Sequence, residues 1–130
     1  MARKVSYPEV GWVTRGGGDD PTPVGVHVAR GFFDRLRGLM GVEDVEPSTL
    51  MVFGECRSIH TMWMRTPIDV AWLDEPDESG SMRVLRVDRA VLPWRARGCA
   101  QAWGCAEAAP GWLSRTCPER VSVPELGRAR

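Results

Sequence analysis

The chain has 130 residues, 43% of them hydrophobic and 26% charged, a balance that fits one globular domain and is too short for two ordinary ones. Seventeen basic residues meet seventeen acidic ones, so no whole-molecule field draws the chain to nucleic acid or to an anionic membrane. No apolar run reaches membrane-spanning length, and residues 1–12 lack the apolar core and cleavage site of a leader; the expectation is a cytoplasmic protein with reduced thiols and no membrane insertion.

In chain order, residues 4–14 read as an extra edge strand or a loose arm, and residues 16–23, rich in Gly, Asp and Pro, read as a loop. Residues 1–23 therefore form an arm or edge strand plus a Gly/Pro loop. Residues 24–126 form a single β-rich domain, and residues 127–130 form a tail that frays. Residues 24–28 alternate as a half-buried strand, with His27 facing solvent. Ala29, Phe32, Phe33, Leu36, Leu39 and Met40 then fall on one helical face, an aromatic stripe that packs into the core, with Gly41 as its left-handed terminator. Residues 50–53 read as a buried strand.

Residues 56–65 are the most informative stretch. Read as an extended strand, they put Cys56, Ser58, His60, Met62 and Met64 on one face and Arg57, Ile59, Thr61, Trp63 and Arg65 on the other. Residues 68–73 read as a central strand, apolar on both faces except for Asp69, and a buried carboxylate needs a partner. Arg65 or Arg95 is the partner the sequence offers. Residues 74–80 are an acidic hairpin loop, residues 83–87 and 99–106 are strands, residues 112–115 are one helical turn, and Val121 and Val123 mark a last strand. The sum is a mainly β fold: a small antiparallel β-barrel or sandwich with one or two short helices.

Cys56, Cys99, Cys105 and Cys117 form no C-x-x-C pair, so a structural zinc site has little support, and they read as small buried hydrophobes. A Cys99–Cys105 bridge requires an oxidising compartment.

Several segments occur in a recognisable order: Val24-x-Val26-x-Val28-Ala29, then Arg35-Leu36-Arg37-Gly38-Leu39-Met40, then Leu50-Met51-Val52-Phe53. They are followed by Ser58-Ile59-His60-Thr61-Met62-Trp63-Met64-Arg65-Thr66-Pro67-Ile68-Asp69-Val70, Pro93-Trp94-Arg95 and Glu107-Ala108-Ala109-Pro110-Gly111. Over roughly residues 24–123 the chain resembles the domain-of-unknown-function 192 family, an uncharacterised group of bacteria and archaea. The resemblance implies a compact β-barrel or sandwich with short helices, no established activity and no established catalytic residue. The family commonly reads Leu-Glu-Leu-Pro-Ala-Gly where this chain has Ala106-Glu107-Ala108-Ala109-Pro110-Gly111, and its late Gly-Asp turn is replaced near Pro118-Glu119.

Four functions fit these residues. The first is a binding module: Arg35, His60, Arg65, Asp69, Arg95 and Glu107, with Trp63 and Trp94, line a barrel mouth that takes a small polar or carbohydrate-like ligand. The second is a soft-metal site on His60, Met62 and Met64, with Cys56 below, suited to copper(I). The third is a hydrolase-type enzyme with His60 and Asp69 as an acid–base pair and Cys56 as nucleophile. It lacks a phosphate loop, a nucleophile elbow and a metal-helix motif. The fourth is a protein-interaction module, from six tryptophans, with Trp12 and Trp112 as the ones to find exposed. The sequence favours a non-enzymatic binding domain without cofactor, whose partner is a small molecule or a protein rather than nucleic acid.

Overall fold

A computed structural model of the chain describes residues 3–16 and 20–127. The centre of the expected 16–23 loop and residues 128–130 of the expected tail lie outside the described residues. Seven strands close into a barrel: β1 (Glu9–Thr14), β2 (Thr22–Val28), β3 (Thr49–Phe53), β8 (Gly104–Ala108), β5 (Ile68–Leu73), β6 (Ser81–Val91) and β9 (Arg120–Ser122), in that spatial order. β4 (Ser58–His60) and β7 (Ala96–Gly98) pair separately as a two-stranded ribbon. α1 (Phe32–Arg37) and α2 (Trp112–Thr116) are short, and a 3-10 turn covers Pro124–Leu126. Among the described residues no helix is long and apolar enough to cross a membrane.

The expected mainly β fold is therefore a closed barrel, antiparallel except where β2 and β3 run parallel, Val26 beside Leu50. A parallel pair needs a long crossover, and residues 29–48, which contain α1, supply it. Residues 9–14 are neither a loose arm nor an edge: β1 pairs with β2 on one side and β9 on the other.

Alternation along the strands divides the buried side chains into two clusters. Val13, Val26, Leu50, Val52, Ala71, Leu73, Met82, Ala106, Ala108 and Val121, from all seven strands, fill the barrel interior, closed at one end by Trp112 and Leu113 of α2. The opposite face of β3, β8 and β5 carries Met51, Phe53, Cys105, Val70 and Trp72, and packs under a lid made of Leu39, Val42, Met64, Val91, Cys99 and Ala102.

Two expectations fail here. The helix predicted from residue 29 to 40 is only Phe32–Arg37, because Gly31 and Gly38, both at positive φ, break the chain on either side. None of its residues is buried, and Phe32 is 73% exposed; the aromatic stripe faces solvent while Ala29 and Leu39 alone of its ends reach the core. The strand predicted over residues 56–65 stops at His60, because Trp63 takes φ 65° inside a turn. His60, Met62 and Met64 therefore share no strand face: Met64 is buried and Met62 exposed.

Candidate functional site

The outer face of β8 carries Cys105 and Glu107, two residues apart and so on the same side. Register fixes their neighbours. Cys105 lies between Phe53 of β3 and Trp72 of β5, and Glu107 between Met51 and Val70. A carboxyl set in an apolar row loses most of its hydration, and this burial is the main reason that the Glu107 pKa is pushed up to about 8, with the negative charge of Cys56 adding to it. Its Oε1 has no hydrogen-bond partner.

Above this row lies a cavity of about 90 Å³, lined by Arg35, Gly38, Phe53, Cys56, His60, Met64 and Glu107, among others. Gly38 keeps it open: a Cβ there would stand 3.4 Å from Glu107 Oε1 and 3.2 Å from the Phe53 ring. The loop that carries Gly38 is held from outside by Arg3, whose Nη1 donates to the carbonyls of Gly38 and Met40 at 2.7 and 2.9 Å. His60, at the end of β4, presents Nδ1 with no partner. His60 Nδ1 and Glu107 Oε1 are the only buried side-chain N or O atoms left unpaired among the described residues, and both residues line this one cavity.

Cys56 completes the group. Its backbone N–H donates to the carbonyl of Trp103 at 2.9 Å, which holds the residue against the start of β8, and its thiol reaches the Ser58 carbonyl at 3.1 Å. Hydrogen bonding from Cys105 lowers the Cys56 pKa to about 6; the backbone at Ser58 and the positive charge of Arg35 add to this, and burial opposes it. The same Cys56–Cys105 contact, then burial, pushes Cys105 well above the ordinary thiol range. The cavity therefore brings together a thiol whose pKa is lowered to about 6 and a carboxyl whose pKa is raised to about 8.

The structure separates the eight residues expected to form one site. Arg35, His60 and Glu107 line the cavity together. Trp63 and Trp94 stand outside it, their rings edge to face with centroids 4.8 Å apart and both largely exposed. Arg65 is exposed and pairs with Glu43 at 2.6 Å, and the Arg95 guanidinium donates only to the nearby carbonyls of Pro93 and Trp94. Asp69 is fully buried on the barrel-interior face of β5, opposite to the face that carries Glu107. Its partners are backbone N–H groups rather than Arg65 or Arg95: Ala90 donates to Oδ1 at 2.8 Å and Leu113 to Oδ2 at 3.1 Å. It pins the β6 irregularity where Ala90 has φ 45° and supplies a capping oxygen to the start of α2. The expected His60–Asp69 acid–base pair is thus not formed.

All four cysteines are free; Cys99 and Cys105 are buried, Cys56 is half-buried and Cys117 exposed. Among the described residues no three His, Cys, Asp or Glu side chains cluster in a way that could hold a metal ion. Trp112 is buried and Trp12 half-buried, so the tryptophans that reach solvent are not those singled out for an interface. His27 bonds to Asp34 of α1 at 2.7 Å. Cys105 and Gly38 were missed as site residues. The spacing of Cys105 from Glu107 along one strand was the available signal for the first, and nothing in the sequence pointed to the second.

Residues 13–117 match the family model DUF192, described as Uncharacterized ACR, COG1430. No curated protein matches the chain. A solved protein from Sinorhizobium meliloti 1021, provisionally described as a transcription regulator, is similar at 19% identity and TM-score 0.74, over 93% of this chain and 98% of that one. A protein of unknown function from Novosphingobium aromaticivorans DSM 12444 is similar at 16% identity and TM-score 0.70, over 88% of this chain and 83% of that one. At such identities the likeness is one of fold.

Proposed function

The chain belongs to the DUF192 family, whose description names no activity, and from that premise we propose that it is a binding domain whose cavity beneath α1 receives one polar end of a small ligand. The observation that carries this reading is the pair of orphaned atoms, Glu107 Oε1 and His60 Nδ1, in one cavity. An unpaired buried polar atom costs about 1–3 kcal/mol. Two in the same cavity describe the complement of an occupant that brings its own hydrogen bonds. The space equals about three water volumes. It therefore suits a hydroxylated or amide-bearing end, as in a small polar or carbohydrate-like molecule, with the rest of the ligand outside. Arg35 at the rim offers a two-pronged donor to an anionic substituent.

The test is ligand-induced change in Tm over a panel of sugars and small metabolites, with Glu107→Gln and His60→Ala alongside. At least one compound class raises the Tm of the wild type, and Glu107→Gln removes the shift. A flat response over a broad panel contradicts the reading.

A second reading, thiol-dependent hydrolase-type chemistry, draws on one observation, the lowered pKa of Cys56 beside a protonated acid. Cys56 would attack an activated acyl carbon and Glu107 would protonate the leaving group. A burst of p-nitrophenol from p-nitrophenyl acetate, absent in Cys56→Ser, supports it; identical traces for the two proteins exclude it.

A further inference from the structure

Thr61 is fully buried and ties two loops together. Its Oγ1 donates to the Leu92 carbonyl at 2.7 Å and accepts from the Arg95 N–H at 2.8 Å, and its carbonyl accepts from the Trp94 N–H at 3.0 Å. The 61–64 turn and the 92–95 turn are thereby clamped side by side. At each tip a tryptophan occupies the left-handed region, Trp63 at φ 65° and Trp94 at φ 64°. Bulky residues avoid this region, and strain of this kind persists only where the surroundings enforce it. The result is not burial. Trp63 is 63% exposed and Trp94 54%, and Met62 and Leu92 beside them are exposed as well.

Basic residues lie beside this apolar tip. Residues 56–65 and 89–98 together contain five arginines and no Asp or Glu, in a chain whose net charge is zero. Pairing of β4 with β7 brings the two segments together, His60 beside Ala96. Arg65 is paired with Glu43. Arg57, Arg89, Arg95 and Arg97 make no ion pair among the described residues; Asp88, which shares a hollow with Arg89, Arg95 and Arg97, is paired with Arg86.

We propose that the Met62–Trp63 and Leu92–Trp94 tips dock on the surface of an anionic lipid bilayer, with the indoles in the interfacial zone and the arginines on the headgroups. Charge complementarity selects the occupant. Arg89, Arg95 and Arg97, which share one hollow with Leu92 and with the Arg86-paired Asp88, together with exposed indole, thioether and isobutyl groups match a surface that is anionic above and apolar beneath. Single-stranded nucleic acid fits less of the patch. It would use the arginines and the indole faces, but rings crossed at 62° make no continuous stacking shelf, and Met62 and Leu92 would be left without a role. This docking is peripheral and differs from insertion by a spanning helix, for which no helix among the described residues is long and apolar enough. It is independent of the cavity beneath α1, which does not contain Trp63 or Trp94.

The experiment is co-sedimentation of the intact protein with phosphatidylcholine vesicles containing 30% phosphatidylserine, and with phosphatidylcholine alone, at low ionic strength. The protein sediments with the anionic vesicles and its tryptophan emission shifts to the blue. Trp63→Ala/Trp94→Ala lowers the partition coefficient at least tenfold with little change in Tm, because the removed groups are exposed. Arg89→Gln/Arg95→Gln/Arg97→Gln lowers it by about 5-fold per arginine and abolishes the preference for phosphatidylserine. Phe32→Ala/Phe33→Ala, exposed apolar residues on α1, leaves it unchanged. The proposal is overturned by any of three results: no sedimentation with anionic vesicles, loss of binding in the α1 variant but not in the tryptophan variant, or binding of a dT12 oligonucleotide by a protein that ignores vesicles.

Discussion

His60 and Met64 line the cavity beneath α1, yet Trp63 between them stands in solvent beside Trp94. One left-handed residue divides a single stretch of chain into two unlike surfaces. The inner one is small and buried, and its character is electrostatic: a carboxyl whose pKa is pushed up, a thiol whose pKa is lowered and two atoms left without partners. The outer one is exposed, and its character is conformational: two indoles held out by Thr61 at the cost of backbone strain. Burial tunes acidity, and strain tunes presentation. The two regions should therefore respond to different perturbations.

The largest difference should appear in pH dependence. Glu107 deprotonates near the ordinary carboxyl value of 4.5 when unfolded and near about 8 when folded. Between those values the native state holds a proton that the unfolded state lacks, so stability falls as pH rises. Cys56 acts in the other sense from pH 6 upward, because its folded pKa, about 6, lies below the ordinary thiol value of 9. The uncompensated limb is pH 4.5–6, where the wild type should lose about 2 kcal/mol relative to Glu107→Gln. Urea denaturation of both proteins at pH 4.5 and 6 measures it. Equal slopes would mean that the inner carboxyl is hydrated.

Thr61→Val comes next. It removes a buried hydroxyl that donates to Leu92 and accepts from Arg95, and should cost about 2 kcal/mol. Because Thr61 serves the outer loops, the alkylation rate of Cys56 should keep its midpoint near pH 6, read by site-resolved mass spectrometry with iodoacetamide. A moved midpoint would join the two regions. Gly38→Ala should cost about 2 kcal/mol, since φ 46° with ψ −125° lies outside the regions open to an L side chain. The same methyl group would crowd Glu107 Oε1 and abolish any ligand-induced rise in Tm. The smallest effect is expected for Trp63→Gly. It relieves a positive φ but loses an aromatic pair, so Tm should move by no more than a few degrees while vesicle binding falls. A large loss of stability would show that Trp63 belongs to the core.

Strand alternation made the barrel legible, and segments such as residues 50–53 and 68–73 read correctly because burial on both faces leaves apolar runs, broken in the second only by Asp69. The helix over 29–40 was overread: periodicity cannot show that Gly31 and Gly38 reverse the backbone and leave Phe32, Phe33 and Leu36 outside. Asp69 was rightly expected to be buried and partnered, but its partners are backbone N–H groups contributed by β6 and α2, which only the folded register brings near. Glu107 was visible as a polar residue in a recognisable segment. Its isolation depended on Met51 and Val70 standing across from it, a fact of strand pairing. The turn at Trp63 left no trace in the sequence, because left-handed tryptophan is enforced by Thr61 and its partners rather than favoured locally.

The account depends most on an uncharged Glu107 facing an open cavity. Its side-chain carboxyl carbon, followed by carbon-13 NMR in the folded protein and assigned by comparison with Glu107→Gln, should titrate near pH 8. A midpoint near 4.5 would mean that water or a fixed donor already satisfies this carboxyl, and the cavity would then have no unmet demand for a ligand.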